Sequence, residues 1–202
     1  MKVVIVNYGM GNIYSVQSAL NFLGFESEYS DDREKILNAD KIILPGVGSF
    51  RKAMENIISK GLKNPIKEAV EIKGKPILGI CLGMQLLGLS STEDGLTKGL
   101  ELFDGIIERF EDKHNLKIPH IGYNEITPPK DSVLFHNLSA GSDFYFVHSY
   151  RMTSQITKGI TTCSYGEKFI AAYEQKNVFG TQFHPEKSQT NGLILLKNFL
   201  AI

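Results

Sequence analysis

The feature that most constrains the fold is a segment in which an apolar strand turns sharply into a helix. Residues 75–80 form a short apolar run that leads into Gly79-Ile-Cys-Leu-Gly83, and a helical pattern follows. Two glycines around one nucleophilic residue are typical of the elbow that holds a nucleophile above the edge of an α/β sheet. The segment therefore predicts an α/β fold with Cys81 as a candidate nucleophile. The alternative is a buried structural cysteine.

Further strand and helix patterns surround this elbow. Strand patterns at residues 3–7, 26–29 and 41–44 alternate with stretches of helical spacing, an order typical of βα units on a parallel sheet. Beyond Leu100 strands predominate, and the pattern predicts them at 105–110, 132–135, 144–152, 159–165, 169–174 and 178–183, before a closing helix at 192–200. We expect one domain, residues 1–202, with a parallel first half and a mostly antiparallel second half.

Composition excludes several classes of protein. The 22 basic and 22 acidic residues balance, and without a basic run we expect no nucleic-acid partner. Apolar stretches are strand-sized, so we expect no membrane span, and the chain enters a strand at once, so we expect no signal peptide. Two cysteines, Cys81 and Cys163, form no disulfide framework and indicate a cytoplasmic location. We interpret Cys163 as a packing residue.

A second segment supplies a base for the thiol. An apolar strand at residues 178–183 delivers His184, Pro185 ends that strand, and Glu186 follows two residues after the imidazole. A thiol nucleophile needs a base, and the base needs a group that holds its tautomer. Cys81, His184 and Glu186 are therefore the predicted catalytic residues. For His184 alone, the alternative is an ordinary loop histidine.

Two glycine-rich turns follow predicted strands. Pro45-Gly-Val-Gly48 lies at the carboxyl edge of the sheet, where its amide groups and the N–H of Leu82 could form an oxyanion hole. A plain structural turn is the alternative. Gly9-x-Gly11 lacks the third glycine of a dinucleotide-binding fingerprint, because Tyr14 occupies that position. We expect neither a cofactor nor a metal.

Six segments together make the chain similar to the class I (triad-type) glutamine amidotransferases, and within them to the glutaminase subunits of imidazole glycerol phosphate synthases. They are Asn7-Tyr-Gly-Met-Gly-Asn12, Pro45-Gly-Val-Gly-Ser-Phe50, Gly79-Ile-Cys-Leu-Gly-Met-Gln-Leu-Leu87, Lys117-Ile-Pro-His-Ile-Gly122, Tyr145-Phe-Val-His-Ser-Tyr150 and Gln182-Phe-His-Pro-Glu-Lys-Ser188. They follow the family's order. The resemblance implies a three-layer α/β fold, with a mixed, mostly parallel central sheet flanked by helices and added antiparallel strands in the C-terminal half.

The resemblance also implies an activity. Cys81 would attack the side-chain amide of glutamine with His184 and Glu186 as partners, and ammonia would pass through a tunnel to a (β/α)₈-barrel cyclase subunit that builds the imidazole ring in histidine biosynthesis. The residues implied in the oxyanion hole and substrate binding are Val47, Gly48, Leu82, Gln85, Ser149 and Tyr150. Those implied at the interface or its gate are Asn12, Tyr123, Tyr145 and Lys187.

Two departures from the family pattern leave alternatives open. Tyr123 stands where the family usually has Trp, and Gly88-Leu-Ser-Ser91 replaces a bulkier, acidic continuation. The first departure lies where the cyclase is expected to dock, so a paralogue that supplies ammonia for amidino groups on bacterial surface sugars is the main alternative. A cysteine peptidase or chaperone-like protein built on the same elbow is a further alternative, against which His184-Pro-Glu186 and Gln85 argue. A non-catalytic regulatory subunit is the last, and the intact Cys81, His184 and Glu186 argue against it.

Overall fold

The structure, a computed structural model, describes residues 1–111 and 116–202. Within these residues the strands are β1 (Val3–Val6), β2 (Ser27–Ser30), β3 (Lys41–Gly46), β4 (Ile77–Cys81), β5 (Ser90–Ser91), β6 (Thr97–Lys98), β7 (Ile106–Arg109), β8 (His120–Thr127), β9 (Asp143–His148), β10 (Tyr150–Thr153), β11 (Ile160–Tyr165), β12 (Glu167–Gln175) and β13 (Val178–Thr181). The α-helices are α1 (Ile13–Phe22), α2 (Arg33–Leu37), α3 (Phe50–Ser59), α4 (Lys63–Lys67), α5 (Leu82–Leu86) and α6 (Gln189–Ala201). A π-helical turn, Glu68–Ile72, extends α4, and Pro185–Lys187 is a short 3₁₀ helix.

A nine-stranded central sheet has the order β2-β1-β3-β4-β13-β12-β11-β8-β9. The pairs from β2 to β13 are parallel, whereas the pairs from β13 to β9 are antiparallel. A smaller sheet has the order β10-β7-β5-β6. The predicted α/β fold is confirmed, with parallel strands in the first half and antiparallel strands added in the second.

The central strands bury both of their faces, which explains their continuous apolar runs. On one face Val4, Ile42 and Ile77 pack in a core shared with α2, α3 and α4. On the other face, residues such as Ile43 and Leu78 pack in a core shared with α1 and α6. Side chains of a strand alternate between faces, so one sheet supplies both cores and gives the molecule three layers.

Two predicted strands differ from the structure, and one long strand was missed. The predicted strand at 132–135 is a turn, because the backbone N–H of Val133 donates to Glu174 on β12 rather than to a neighbouring strand. The predicted strand at 144–152 divides at Ser149 into β9 and β10, which belong to different sheets. Strand β8 was not predicted; it contains Gly122 and Asn124, residue types that are depleted in strands.

Among residues 1–111 and 116–202, we find no helix with both the length and the apolar character needed to span a lipid bilayer.

Candidate active site

Cys81 lies where β4 passes directly into α5. Its backbone has φ 55° and ψ −111°, a conformation that costs energy for any residue with a side chain. Neighbouring glycines make the turn possible, since a Cβ at Gly83 would lie 1.7 Å from the Leu44 carbonyl oxygen. A Cβ at Gly79 would lie 2.6 Å from the Met84 backbone. The helix thus packs against the strands with no room for side chains, and the sharp turn projects the sulfur from the sheet edge.

His184 follows the end of β13 and is almost fully buried, with 1% of its surface exposed. Its Nδ1 lies 2.8 Å from Oε1 of Glu186, so that carboxylate fixes the tautomer with the proton on Nδ1. The backbone is also held: the His184 N–H donates to the carbonyl of Tyr145 at 2.9 Å, and its own carbonyl accepts from Ser188 Oγ at 2.6 Å. The imidazole therefore has one orientation.

The other ring nitrogen of His184, Nε2, is buried and has no hydrogen-bond partner among the described residues. Burial by itself lowers the pKa of His184, but interactions with Cys81 and Glu186 outweigh that effect and raise the pKa to about 10. The raised pKa favours an imidazolium next to the sulfur at neutral pH. Such a ring can give a proton from Nε2 to a group bound at Cys81.

A pocket of about 360 Å³ opens above Cys81 and His184, a volume within the range typical of small-molecule sites. It contains every residue predicted from sequence for the oxyanion hole and substrate binding, whereas Glu186 contacts His184 without lining it. The lining residues are Val47, Gly48, Cys81, Leu82, Gln85, Glu93, Pro119, Val147, His148, Ser149, Tyr150 and His184.

Strand pairing brings the glycine-rich loop to the nucleophile. Gly46 of β3 is the register partner of Cys81, so the loop that follows β3 runs beside the sulfur. Gly48 has φ +99°, which a residue with a side chain rarely adopts. Leu82 is the first residue of α5, and the first N–H groups of a helix have no partner within it. The pocket thus combines a thiol with backbone donors.

Two glutamine side chains connect the nucleophile to the opposite wall. Gln85 Nε2 donates to the Tyr150 carbonyl at 3.1 Å and to Gln182 Oε1 at 2.8 Å. Gln182 Nε2 in turn lies 3.7 Å from Cys81 Sγ. Both amide hydrogens of Gln85 are thereby used, so its Oε1 is the atom left to accept a hydrogen bond from a ligand.

Sequence reasoning missed Glu93, which places a carboxylate in the pocket wall. Its Oε2 accepts from the Phe50 N–H at 2.7 Å, while burial, the largest influence, raises the pKa of this carboxyl. Glu93 stands in a polar loop after β5, where no motif or periodicity sets it apart. Pro119, Val147 and His148 also line the pocket without having been predicted to do so.

Three of the four residues predicted at an interface lie together. The Tyr123 hydroxyl donates to the Lys187 carbonyl at 2.7 Å, and the Tyr123 and Tyr145 rings are 5.5 Å apart. Lys187 Nζ lies 5.8 Å from the centre of the Tyr145 ring. Asn12 directly precedes α1, and its Oδ1 accepts from Ser15 Oγ at 2.9 Å.

Comparison with protein families finds one match across almost the whole chain: the model for "Glutamine amidotransferase class-I" covers residues 4–202. A relative from Methanosarcina acetivorans, "Imidazole glycerol phosphate synthase subunit HisH", is 49% identical over 98% of this chain and 98% of its own. One from Moorella thermoacetica with the same name is 46% identical over 98% of this chain and 93% of its own.

Solved structures agree on the fold. A PurLQS structure from Thermotoga maritima superposes with a TM-score of 0.73 at 21% identity, covering 99% of this chain and 97% of that one. The glutaminase domain of CTPS from Trypanosoma brucei gives a TM-score of 0.68 at 15% identity, covering 100% and 94%. At these identities the likeness concerns architecture alone.

Proposed function

Because the chain belongs to the class I glutamine amidotransferases, we propose that it is the glutaminase subunit of an imidazole glycerol phosphate synthase, folded as one domain over residues 1–202. One observation carries the proposal. Cys81, on a strained elbow, shares a glutamine-sized pocket with a buried His184 whose Nδ1 is held by Glu186. This arrangement matches the order of groups that thiol-dependent acyl transfer requires.

The first half-reaction releases ammonia. The Cys81 thiolate attacks the side-chain carbonyl carbon of glutamine, and His184 Nε2 protonates the departing nitrogen as the γ-glutamyl thioester forms. Water then adds to the thioester with His184 as base, which expels the thiolate and yields glutamate. Glu186 holds the ring throughout and stabilises the imidazolium, because it stays buried 2.8 Å from Nδ1.

Backbone amides take the negative charge that develops on the substrate oxygen. We assign this role to the N–H of Leu82 and to the Val47-Gly48 loop, which line the pocket next to Cys81. Each such donor contributes roughly 3 kcal/mol to the acyl-transfer transition state. At the far end, Gln85 Oε1 and the Ser149-Tyr150 backbone bind the amino-acid group, and the Glu93 carboxylate pairs with the substrate's ammonium.

The ammonia is delivered to a partner. We propose a (β/α)₈-barrel cyclase that docks on the Tyr123, Tyr145 and Lys187 cluster, with Asn12 at its margin. Relatives 42–49% identical to this chain carry the name of the synthase subunit, which favours histidine biosynthesis over sugar amidination. The reaction needs a reduced thiol, so we place it in the cytoplasm.

Glutamate release from glutamine tests the proposal. It is measured with and without the cyclase of the same organism, in the presence of the nucleotide ligand of that cyclase. We expect the complex to release glutamate many times faster than the isolated chain. If a cyclase that uses free ammonia gives no stimulation, the proposed partner is wrong.

The two cysteines provide a matched pair of variants. Cys81→Ala abolishes turnover, whereas Cys163→Ala retains it, because Cys163 is a buried packing residue that does not line the pocket. Burial raises the pKa of the Cys163 thiol to about 11. Equal loss in both variants, with folding intact, would contradict the nucleophile assignment.

A further inference from the structure

Two buried histidines outside the proposed triad form a pair across neighbouring strands. His120 on β8 and His148 on β9 are register partners, and 0% and 6% of their surfaces are exposed. Nδ1 of His120 lies 3.1 Å from Nε2 of His148. Nδ1 of His148 lies 2.8 Å from the Tyr150 carbonyl oxygen. The pair thus reaches from β8, near the end of the central sheet, to the wall of the pocket.

The chemistry of each group sets the direction of these hydrogen bonds. A carbonyl oxygen only accepts, so His148 carries its proton on Nδ1 and leaves Nε2 as an acceptor. His120 must then donate from Nδ1, which leaves its own Nε2 as an acceptor 2.7 Å from Oδ1 of Asn124, so the Asn124 amide must be flipped to bring its nitrogen there. We assign the amide nitrogen of Asn124 to that contact, because only the bonding pattern distinguishes the two ends of an amide.

Neutral rings fit this arrangement, since each carries one proton. Burial lowers the pKa of His148 to about 3, and it lowers the pKa of His120 as well. Aromatic side chains hold the rings in place: His120 stacks on Tyr165 at 3.9 Å and on Phe146 at 4.8 Å between ring centres. The pair therefore has one tautomer and one orientation.

The Tyr150 carbonyl oxygen accepts a hydrogen bond from His148 Nδ1 and a second one from Gln85 Nε2, at 3.1 Å. Gln85 continues to Gln182, and Gln182 reaches the Cys81 sulfur. One line of hydrogen bonds thus runs from Asn124 to the nucleophile. The orientation of the Gln85 amide, and so of its free Oε1, depends on where the Tyr150 carbonyl points.

We propose that His148, oriented by His120, is a positioning residue that fixes the Tyr150 carbonyl and thereby the glutamine-binding face of Gln85. The inference rests on the proposed glutaminase activity, because it concerns the same pocket. Without the Nδ1–H donor the Tyr150 carbonyl keeps one side-chain donor, Gln85, instead of two, and its direction is less firmly fixed. Gln85 then loses its fixed orientation, and substrate binding weakens more than the chemical step.

Two amide substitutions separate positioning from general packing. In His148→Asn the side-chain nitrogen occupies the place of Nδ1, whereas in His148→Gln it reaches the place of Nε2. We expect His148→Asn to keep KM for glutamine within about threefold of wild type and His148→Gln to raise KM about tenfold, as the loss of one hydrogen bond predicts. We expect kcat to change less than KM in both variants. If His148→Asn and His148→Gln have equal KM values for glutamine, whether raised or unchanged from wild type, the proposal is overturned.

A second measurement does not depend on turnover. Nitrogen-15 NMR of the imidazoles reports which ring nitrogen carries hydrogen, and we expect an Nδ1–H tautomer at both His120 and His148 at pH 7. An Nε2–H tautomer or an imidazolium at either residue overturns the proposal. If the wild-type chain releases no glutamate even in complex with its cyclase, the proposed function fails, while the tautomers still decide whether this hydrogen-bond line exists.

Discussion

Gly83→Ala tests whether the elbow depends on the absence of a side chain. A Cβ at this position would lie 1.7 Å from the Leu44 carbonyl oxygen and 2.7 Å from its carbon, both rigid backbone atoms. Real Cβ atoms essentially never approach closer than 3.0 Å, so α5 and β3 must separate by 1.3 Å or more (3.0 − 1.7). Overpacking of this kind costs about 1–3 kcal/mol.

The same displacement moves Leu82 and Cys81 relative to the Val47-Gly48 loop, which we propose as part of the oxyanion hole. A misplacement of about 1 Å in a catalytic constellation costs on the order of 100-fold in rate. We therefore expect Gly83→Ala to lower kcat for glutamate release by about that factor. The melting temperature should fall by about 2–12 °C, since a chain of this size loses about 2–4 °C per kcal/mol.

Gly24→Ala is the control for general destabilisation. Gly24 has φ +82° with open space around it, so alanine there is strained by about 1 kcal/mol but displaces no neighbour. We expect this variant to lose stability and keep wild-type kcat. If Gly83→Ala retains wild-type kcat, or if Gly24→Ala loses as much activity, the steric argument for the elbow is wrong.

Three further predictions concern the base, the substrate and the partner. Glu186→Gln removes a negative charge that raises the pKa of His184, so the imidazolium loses its proton at lower pH; the alkaline limb of the pH–rate profile should move to lower pH, and an unmoved limb would refute this. Glu93→Gln keeps an acceptor for the Phe50 N–H but loses its charge. KM for glutamine should rise about tenfold, and an unchanged KM would rule out the ammonium contact. Tyr123→Phe removes the hydrogen bond to the Lys187 carbonyl, so stimulation by the cyclase should fall about threefold; full stimulation would exclude this bond from coupling.

Much of the fold was predictable because its signals are local. Continuous apolar runs at β1, β3 and β4 indicated strands buried on both faces, and glycines marked the turn at Cys81. The strand predicted at 132–135 was wrong because apolar residues alone do not show which partner satisfies the backbone. Glu174 on β12 takes that role for Val133.

In the candidate site, too, residues in local motifs could be proposed from sequence and residues placed by tertiary packing could not. Cys81, His184 and Glu186 could be proposed because each stands in a short motif whose chemistry is read from adjacent residues. Glu93 could not, because its place in the pocket depends on where its loop packs after β5. Gln182 stands in the same motif as His184, yet its contact with Cys81 depends on the pairing of β13 with β4.

By itself, the sequence determined the buried strands β1, β3 and β4, the elbow at Cys81 and the types of group available for catalysis, since these depend on neighbouring residues and backbone sterics. Tertiary structure decided which distant groups meet. His120 and His148 are 28 residues apart and form a pair only because β8 and β9 align in one register. Register is settled by the burial and hydrogen bonding of whole strands, and a local pattern does not contain that information.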